Sequence, residues 1–137
     1  LVASCLGGIS FIKGLGLVHA ISHMVGAEFD THHGLTNAIV LPVVTRFNFP
    51  QLEGKVQKMS SAMQYDDHSI DAFISNIDEI LDRIEIPKNL AEIGVPIDCV
   101  ERISEKAMKD SAFATNPIIA NLEEMKQLVS QSIKQAR

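Results

Sequence analysis

The alternation of apolar and polar positions divides this chain into a succession of helices. Leu1 to Ile12 is apolar on nearly every side, the pattern of a helix buried all round, which in so small a domain calls for an additional layer of structure. Gly7 and Gly8 allow a neighbouring backbone to approach closely or interrupt the helix. Gly14 and Gly16 punctuate the chain before a helix carrying Val18, His19, Ile21, Ser22 and His23, which Gly26 is expected to end. Phe29 to His33 reads as a turn. Leu35, Ala38, Ile39, Val43 and Phe47 then recur at helical spacing, with Pro42 expected to kink the element.

Pro50 reads as the first residue of a new helix with Leu52, Val56, Met59 and Met63 on one face. The clearest amphipathic stripe follows: Ile70, Phe73, Ile74, Ile77, Ile80, Leu81 and Ile84, capped by Asp67 or Ser69 and stopped by Pro87. Leu90 to Gly94 suits a single helical turn. Asp98 with Glu101 reads as a capping box before Val100, Ile103 and Ala107. Beyond the Thr115-Asn116-Pro117 break, Asn121 with Glu124 makes a second box before Met125, Leu128, Val129 and Ile133. Lys134 and Arg137 complement the last carboxyl end. No strand alternation, repeat or low-complexity tract intervenes, so the expected fold is all-α, one compact multi-helix domain over residues 1–137.

Composition narrows the function classes. A length of 137 residues allows a real core without disulfides or structural metal, and 46% hydrophobic content is that of an ordinary globular chain. A net charge of −5 argues against nucleic acid as a partner, because neutralising phosphates requires clustered Lys and Arg. Cys5 and Cys99 are too few for a secreted disulfide framework and read as buried small hydrophobes in a reducing, cytoplasmic setting. The least polar stretch is too short to span a bilayer, and no signal-peptide pattern is present, so no membrane partner is expected. The chain opens on Leu1 with no capping group, which reads as a piece of something longer.

Chemistry concentrates between Gly14 and Pro50, where four of the five histidines lie: His19, His23, His32 and His33. At about 100° per residue, His19 and His23 share one helix face. Neutral imidazoles one turn apart, joined by another from the next segment, make a reasonable metal site. Helix-surface or satisfied core histidines are the competing reading, and the residues by themselves leave both open. The His-Ala-Ile-Ser-His run is not a zinc-protease motif, because Ala20 stands where the general base belongs. Gly14-Leu15-Gly16 is not a dinucleotide loop, because His19 occupies the third glycine position and no strand precedes it. Glu28 and Asp30 read as solvated turn residues, and His68 as exposed beside a helix start.

At these residues the sequence resembles the iron-containing (group III) alcohol dehydrogenase family. The matching pattern is Gly16-Leu17-Val18-His19, then His23, Gly26 and, fourteen residues after His19, His33-Gly34. It continues through Asn37-Ala38-Ile39-Val40-Leu41-Pro42 and Arg46-Phe47-Asn48, with Asp110 and Thr115-Asn116-Pro117 near the end. His32 departs from it, standing where many relatives carry Pro.

The resemblance implies the carboxy-terminal, dehydroquinate synthase-like helical domain of a two-domain enzyme whose amino-terminal dinucleotide-binding domain is not in this chain. It implies a divalent metal held by one Asp and three His, with His19 and His33 as two of the ligands. His23 would be a non-ligand histidine facing nicotinamide and substrate, a catalytic proton-handling or positioning group. Ferrous iron is the implied metal, with zinc the alternative, and NAD or NADP the cofactor. The implied partners are a small alcohol or aldehyde substrate, the missing domain and further copies in a homo-oligomer. With half the ligands and no cofactor platform, the piece alone is expected to be inactive. Two other classes compete: a helical interaction module using the apolar first helix, and a small metal-binding protein using all four clustered histidines.

Overall fold

The structure, a computed structural model, describes residues 1–135. Among them it is all-helical: α1 (Val2–Phe11), α2 (Leu17–Phe29), α3 (His33–Ala62), α4 (Ile70–Arg83), α5 (Val100–Ala107) and α6 (Leu122–Lys134). Short 3-10 turns at Leu90–Ile93, Ile97–Cys99 and Phe113–Thr115 complete the chain, and no strand occurs among the described residues.

The histidine-bearing helix α2 is the centre of the packing. It lies against α3 on one side and α5 on another, while α6 closes the core against α5 and α3. Leu17, Ala20, Ile21 and Val25 of α2 meet Ile39, Val40 and Val44 of α3, Ile103 and Ala107 of α5, and Met125, Val129 and Ile133 of α6 in one buried cluster. Spacings of three and four keep these side chains on the inward face of each helix. Leu90, Val95 and Cys99 from the 3-10 segments fill the end of the same cluster. Val56 of α3 and Phe73, Ile74 and Leu81 of α4 form a separate buried contact where these two helices touch.

Several expectations are corrected. The first helix, expected to be buried all round, has no buried residue: Leu6, Ile9, Phe11 and Ile12 are more than half exposed, and Cys5 is exposed with them. No other described element covers that apolar surface, whereas Cys99 is buried as expected. Gly26 does not end α2, which runs on to Phe29 and stops where Asp30 enters the left-handed region at φ 53°. Pro50 does not start a helix. It lies inside the 30-residue α3, as Pro42 does, because packing on the flanking turns outweighs two missing amide donors. Met59 and Met63, expected in a core stripe, are about two-fifths exposed, and only Val56 and Ser60 are buried in this part of α3.

The capping box expected from Asp98 and Glu101 does not form, because a 3-10 turn feeds directly into α5 with Cys99 at its N-cap. The box of Asn121 and Glu124 does form at α6. Ser69 caps α4, with Asp67 accepting the Ser69 amide instead. Glu28 is no solvated turn residue. It pairs across to Arg102 and Lys106 of α5, and those two cations hold its carboxyl well below the usual range, at about 2. The expected contribution of Arg137 lies outside the described residues. No described helix is long and apolar enough to cross a membrane.

Candidate metal centre

Two structural devices bring the histidines together. The first sets the start of α2. Gly14 and Gly16 adopt φ of 105° and 74°, conformations that favour glycine, and both lie against the Thr115-Asn116 segment. There the Asn116 side-chain oxygen accepts the Leu17 amide at 3.1 Å, and the Thr115 hydroxyl accepts the Gly16 amide at 3.4 Å. Asn116 supplies a buried cap from a distant part of the chain, for a helix whose own N-cap residue has no side chain to donate one. Asn48 of α3 holds it there, through an exchanged pair of side-chain hydrogen bonds at 2.6 and 3.0 Å. The second device is the tight turn at residues 30–32, which starts α3 so that His33 lies beside α2. His32 accepts the Leu35 amide as N-cap of α3.

The result is a triangle of imidazoles. Ring centroids are 5.7 Å apart for His19 and His23, 5.2 Å for His19 and His33, and 5.3 Å for His23 and His33, the last pair stacked. His32 is not in the triangle, because its ring nitrogen serves as a cap. The four-histidine grouping is therefore not formed, and His68, as expected, is exposed.

The nitrogens of these rings are differentiated by their neighbours. The Asn37 side-chain amide donates to His19 Nε2 at 3.3 Å and to His33 Nε2 at 3.0 Å. One nitrogen with two hydrogens thus faces both Nε2 lone pairs, and both rings carry their proton on Nδ1. On that side His33 Nδ1–H meets the Ser22 hydroxyl oxygen at 3.3 Å, and Ser22 in turn donates to the His19 carbonyl. His19 Nδ1 is buried, and no hydrogen bond of good geometry reaches it, the Leu15 carbonyl making only a weak one. Burial, reinforced by His33 and His23, pushes the His19 imidazole below its ordinary value, against the smaller opposing effects of the Leu15 carbonyl and Asp110. His19 is therefore held neutral, the form in which an imidazole ligates a metal. His23 faces elsewhere: its Nδ1 is 3.0 Å from Asp110 Oδ2.

The donor set fits part of a cation site. Two bare Nε2 atoms converge on one positively polarised group, with their tautomers set by Asn37 and Ser22. Among the described residues, however, no three His, Cys, Asp or Glu side chains are grouped to hold an ion. Sequence reasoning missed the roles of Asn37, Ser22, Asn48, Asp110 and Asn116. Asn37 stands one turn after His33 and Ser22 three residues after His19, so helical spacing could have flagged both. Asp110 lies 87 positions from His23, and no periodicity reaches that far.

Comparison with known proteins agrees over the same residues. The profile of the Fe-containing alcohol dehydrogenase family, C-terminal, matches residues 1–133. The NADPH-dependent butanol dehydrogenase of Clostridium saccharobutylicum is 36% identical over 135 residues, an alignment covering 92% of this chain and 35% of that protein. Alcohol dehydrogenase 4 of Schizosaccharomyces pombe is 29% identical, covering 96% of this chain and 32% of its own length. Among solved structures, a 1,3-propanediol oxidoreductase superposes with a TM-score of 0.82 at 29% identity, over 87% of this chain and 33% of that one. The iron-containing alcohol dehydrogenase of Thermococcus thioreducens gives 0.77 at 28% identity, over 88% of this chain and 32% of its own. The chain spans about a third of the length of the relatives it matches. With a match running almost end to end and the helical architecture shared, the chain belongs to the iron-containing alcohol dehydrogenase family and corresponds to its carboxy-terminal helical region.

Proposed function

We propose that this chain is the helical portion of a metal-dependent, NAD(P)-linked alcohol dehydrogenase, and that His19 and His33 hold the divalent cation from this side of the site. The observation that supports it is the convergence of the two bare Nε2 atoms on the Asn37 amide, with His19 kept neutral by burial. When bound, a divalent cation, ferrous iron or zinc, supplies a Lewis acid for the alcohol oxygen, and the nicotinamide ring of NAD or NADP supplies the hydride acceptor. This chain's residues do the orienting. Asn37 and Ser22 keep the ring protons of His19 and His33 on Nδ1, which leaves Nε2 free to ligate. His23, stacked on His33 and a ligand to nothing in this reading, is the group that handles the substrate proton. The remaining metal ligands and the cofactor platform belong to upstream polypeptide, so the piece alone is inactive.

The test is alcohol-dependent reduction of NAD(P) by the full-length polypeptide, with metal content measured in parallel. His33→Ala is expected to lower turnover at least a hundredfold and to strip the metal on dialysis, whereas His68→Ala, at an exposed position outside the triangle, leaves both within a few-fold. Wild-type turnover and metal content in His33→Ala would sink this assignment. The uncovered apolar surface of α1 favours a second, compatible role: contact with another copy of the chain in a cytoplasmic homo-oligomer.

A further inference from the structure

We infer that Asp110 is a positioning residue for His23: its carboxylate fixes the imidazole in the Nδ1–H tautomer and leaves the Nε2 lone pair as the atom that receives the substrate proton. This rests on the reading of His23 as the proton-handling group. The carboxylate is well placed for the task. Its side chain is 12% exposed, against 35% for His23, and its Oδ2 is 3.0 Å from Nδ1. A carboxylate only accepts, so the ring nitrogen facing it must donate, and the tautomer follows.

Asp110 is itself held. It follows α5 in a turn where its Oδ1 accepts the Ala112 amide at 2.8 Å and its backbone carbonyl accepts the Phe113 amide at 3.1 Å. One carboxylate oxygen is thus committed to the backbone and the other to the ring, which leaves the carboxylate little freedom to rotate away. The turn is tied to α2 twice over, because α5 packs against α2 and the adjoining Thr115-Asn116 segment caps it. Stacking on His33 at 5.3 Å sets the remaining orientation of the His23 ring. The same arrangement of a buried acceptor behind a proton-transferring imidazole serves hydrolases, where replacing the Asp by Asn leaves the geometry and destroys the tautomer. The balance closes with the oxidant named above: as alcohol becomes aldehyde, the hydride would go to NAD or NADP. The hydroxyl proton moves to His23 Nε2 and from there to solvent, and the Nδ1 proton stays on the ring, hydrogen-bonded to Asp110.

The experiment compares wild type, Asp110→Asn and Asp110→Glu in the full-length polypeptide. Long-range proton–nitrogen correlation of the His23 ring, assigned with His23→Gln, reads the tautomer independently of activity. Wild type is expected to show a protonated Nδ1 and a bare Nε2. Asp110→Asn, whose amide can donate to Nδ1, is expected to shift the ring toward Nε2–H and to lower kcat roughly 10- to 100-fold. KM and metal content should change less than about threefold, and Asp110→Glu should restore much of both signals. An unchanged tautomer in Asp110→Asn overturns the inference. So does a shifted tautomer with kcat within twofold of wild type, or a loss of kcat that tracks metal loss or a melted fold. Absence of any alcohol-dependent activity in wild type would sink the dehydrogenase reading instead, and the tautomer would still decide what Asp110 does.

Discussion

Gly14 shows how much of this site depends on what a single residue lacks. A β-carbon added there would lie 2.3 Å from the Thr115 β-carbon, and the backbone φ of 105° is one that side-chain-bearing residues rarely adopt. Gly16, at φ 74°, would meet the Asn116 side-chain oxygen at 2.9 Å. The two glycines let the Thr115-Asn116 segment approach the start of α2 closely enough to cap it. Gly14→Ala is therefore expected to destabilise the fold by roughly 2–5 kcal/mol, combining backbone strain with overpacking. A urea titration reads it directly, and a midpoint shift equivalent to under about 0.5 kcal/mol would contradict the account. Because the strain falls one turn before His19, the same variant should also disturb the imidazole triangle.

At the scale of elements, α3 is the informative case. Its first half carries His33, Asn37 and the core residues Ile39, Val40 and Val44, while its second half reaches α4. Both prolines lie within it, but they are not equivalent, since Pro42 is buried and Pro50 is exposed. Each removes an amide donor from the ladder, and Pro costs about 3 kcal/mol relative to Ala in a helix interior. Part of that is offset by the stiffer unfolded chain that proline provides. Pro50→Ala is expected to stabilise the protein by about 1–2 kcal/mol, seen as a raised urea midpoint. If Pro50→Ala destabilised it, the proline ring would be contributing packing that its exposure does not suggest.

Among the described helices, α2, α3, α5 and α6 share one core, α4 packs on α3 beside it, and α1 has no buried residue. Leu6, Ile9 and Phe11 of α1 and the Ile12 that follows it are exposed around the helix with no charged residue among them, and so much apolar surface rarely stays solvated. In sedimentation velocity at increasing concentration, this chain is expected to run heavier than a monomer. Leu6→Lys combined with Ile9→Lys should return it to monomer mass. A clean monomer for the unsubstituted chain at high concentration would remove the proposed contact.

Much of this was legible in the residues. The stripe of α6, the Phe73, Ile74 and Leu81 part of the α4 stripe (Ile80 and Ile84, expected with them, are exposed), the Asn121 box and the punctuation around Gly14 and Gly16 are local signals, set by helical period and by backbone groups within one turn of their partners. His19 and His23 sharing a face follows from the same period. What the order of residues did not determine was every contact that spans the chain: Asn116 capping α2, Asp110 behind His23, Glu28 between Arg102 and Lys106. Nor did it decide that α3 runs through two prolines, or that the most apolar helix stands uncovered. Hydrophobic period says that a face is to be buried, but only packing decides what buries it. A hydrogen bond between residues 87 positions apart exists only once the helices between them have settled.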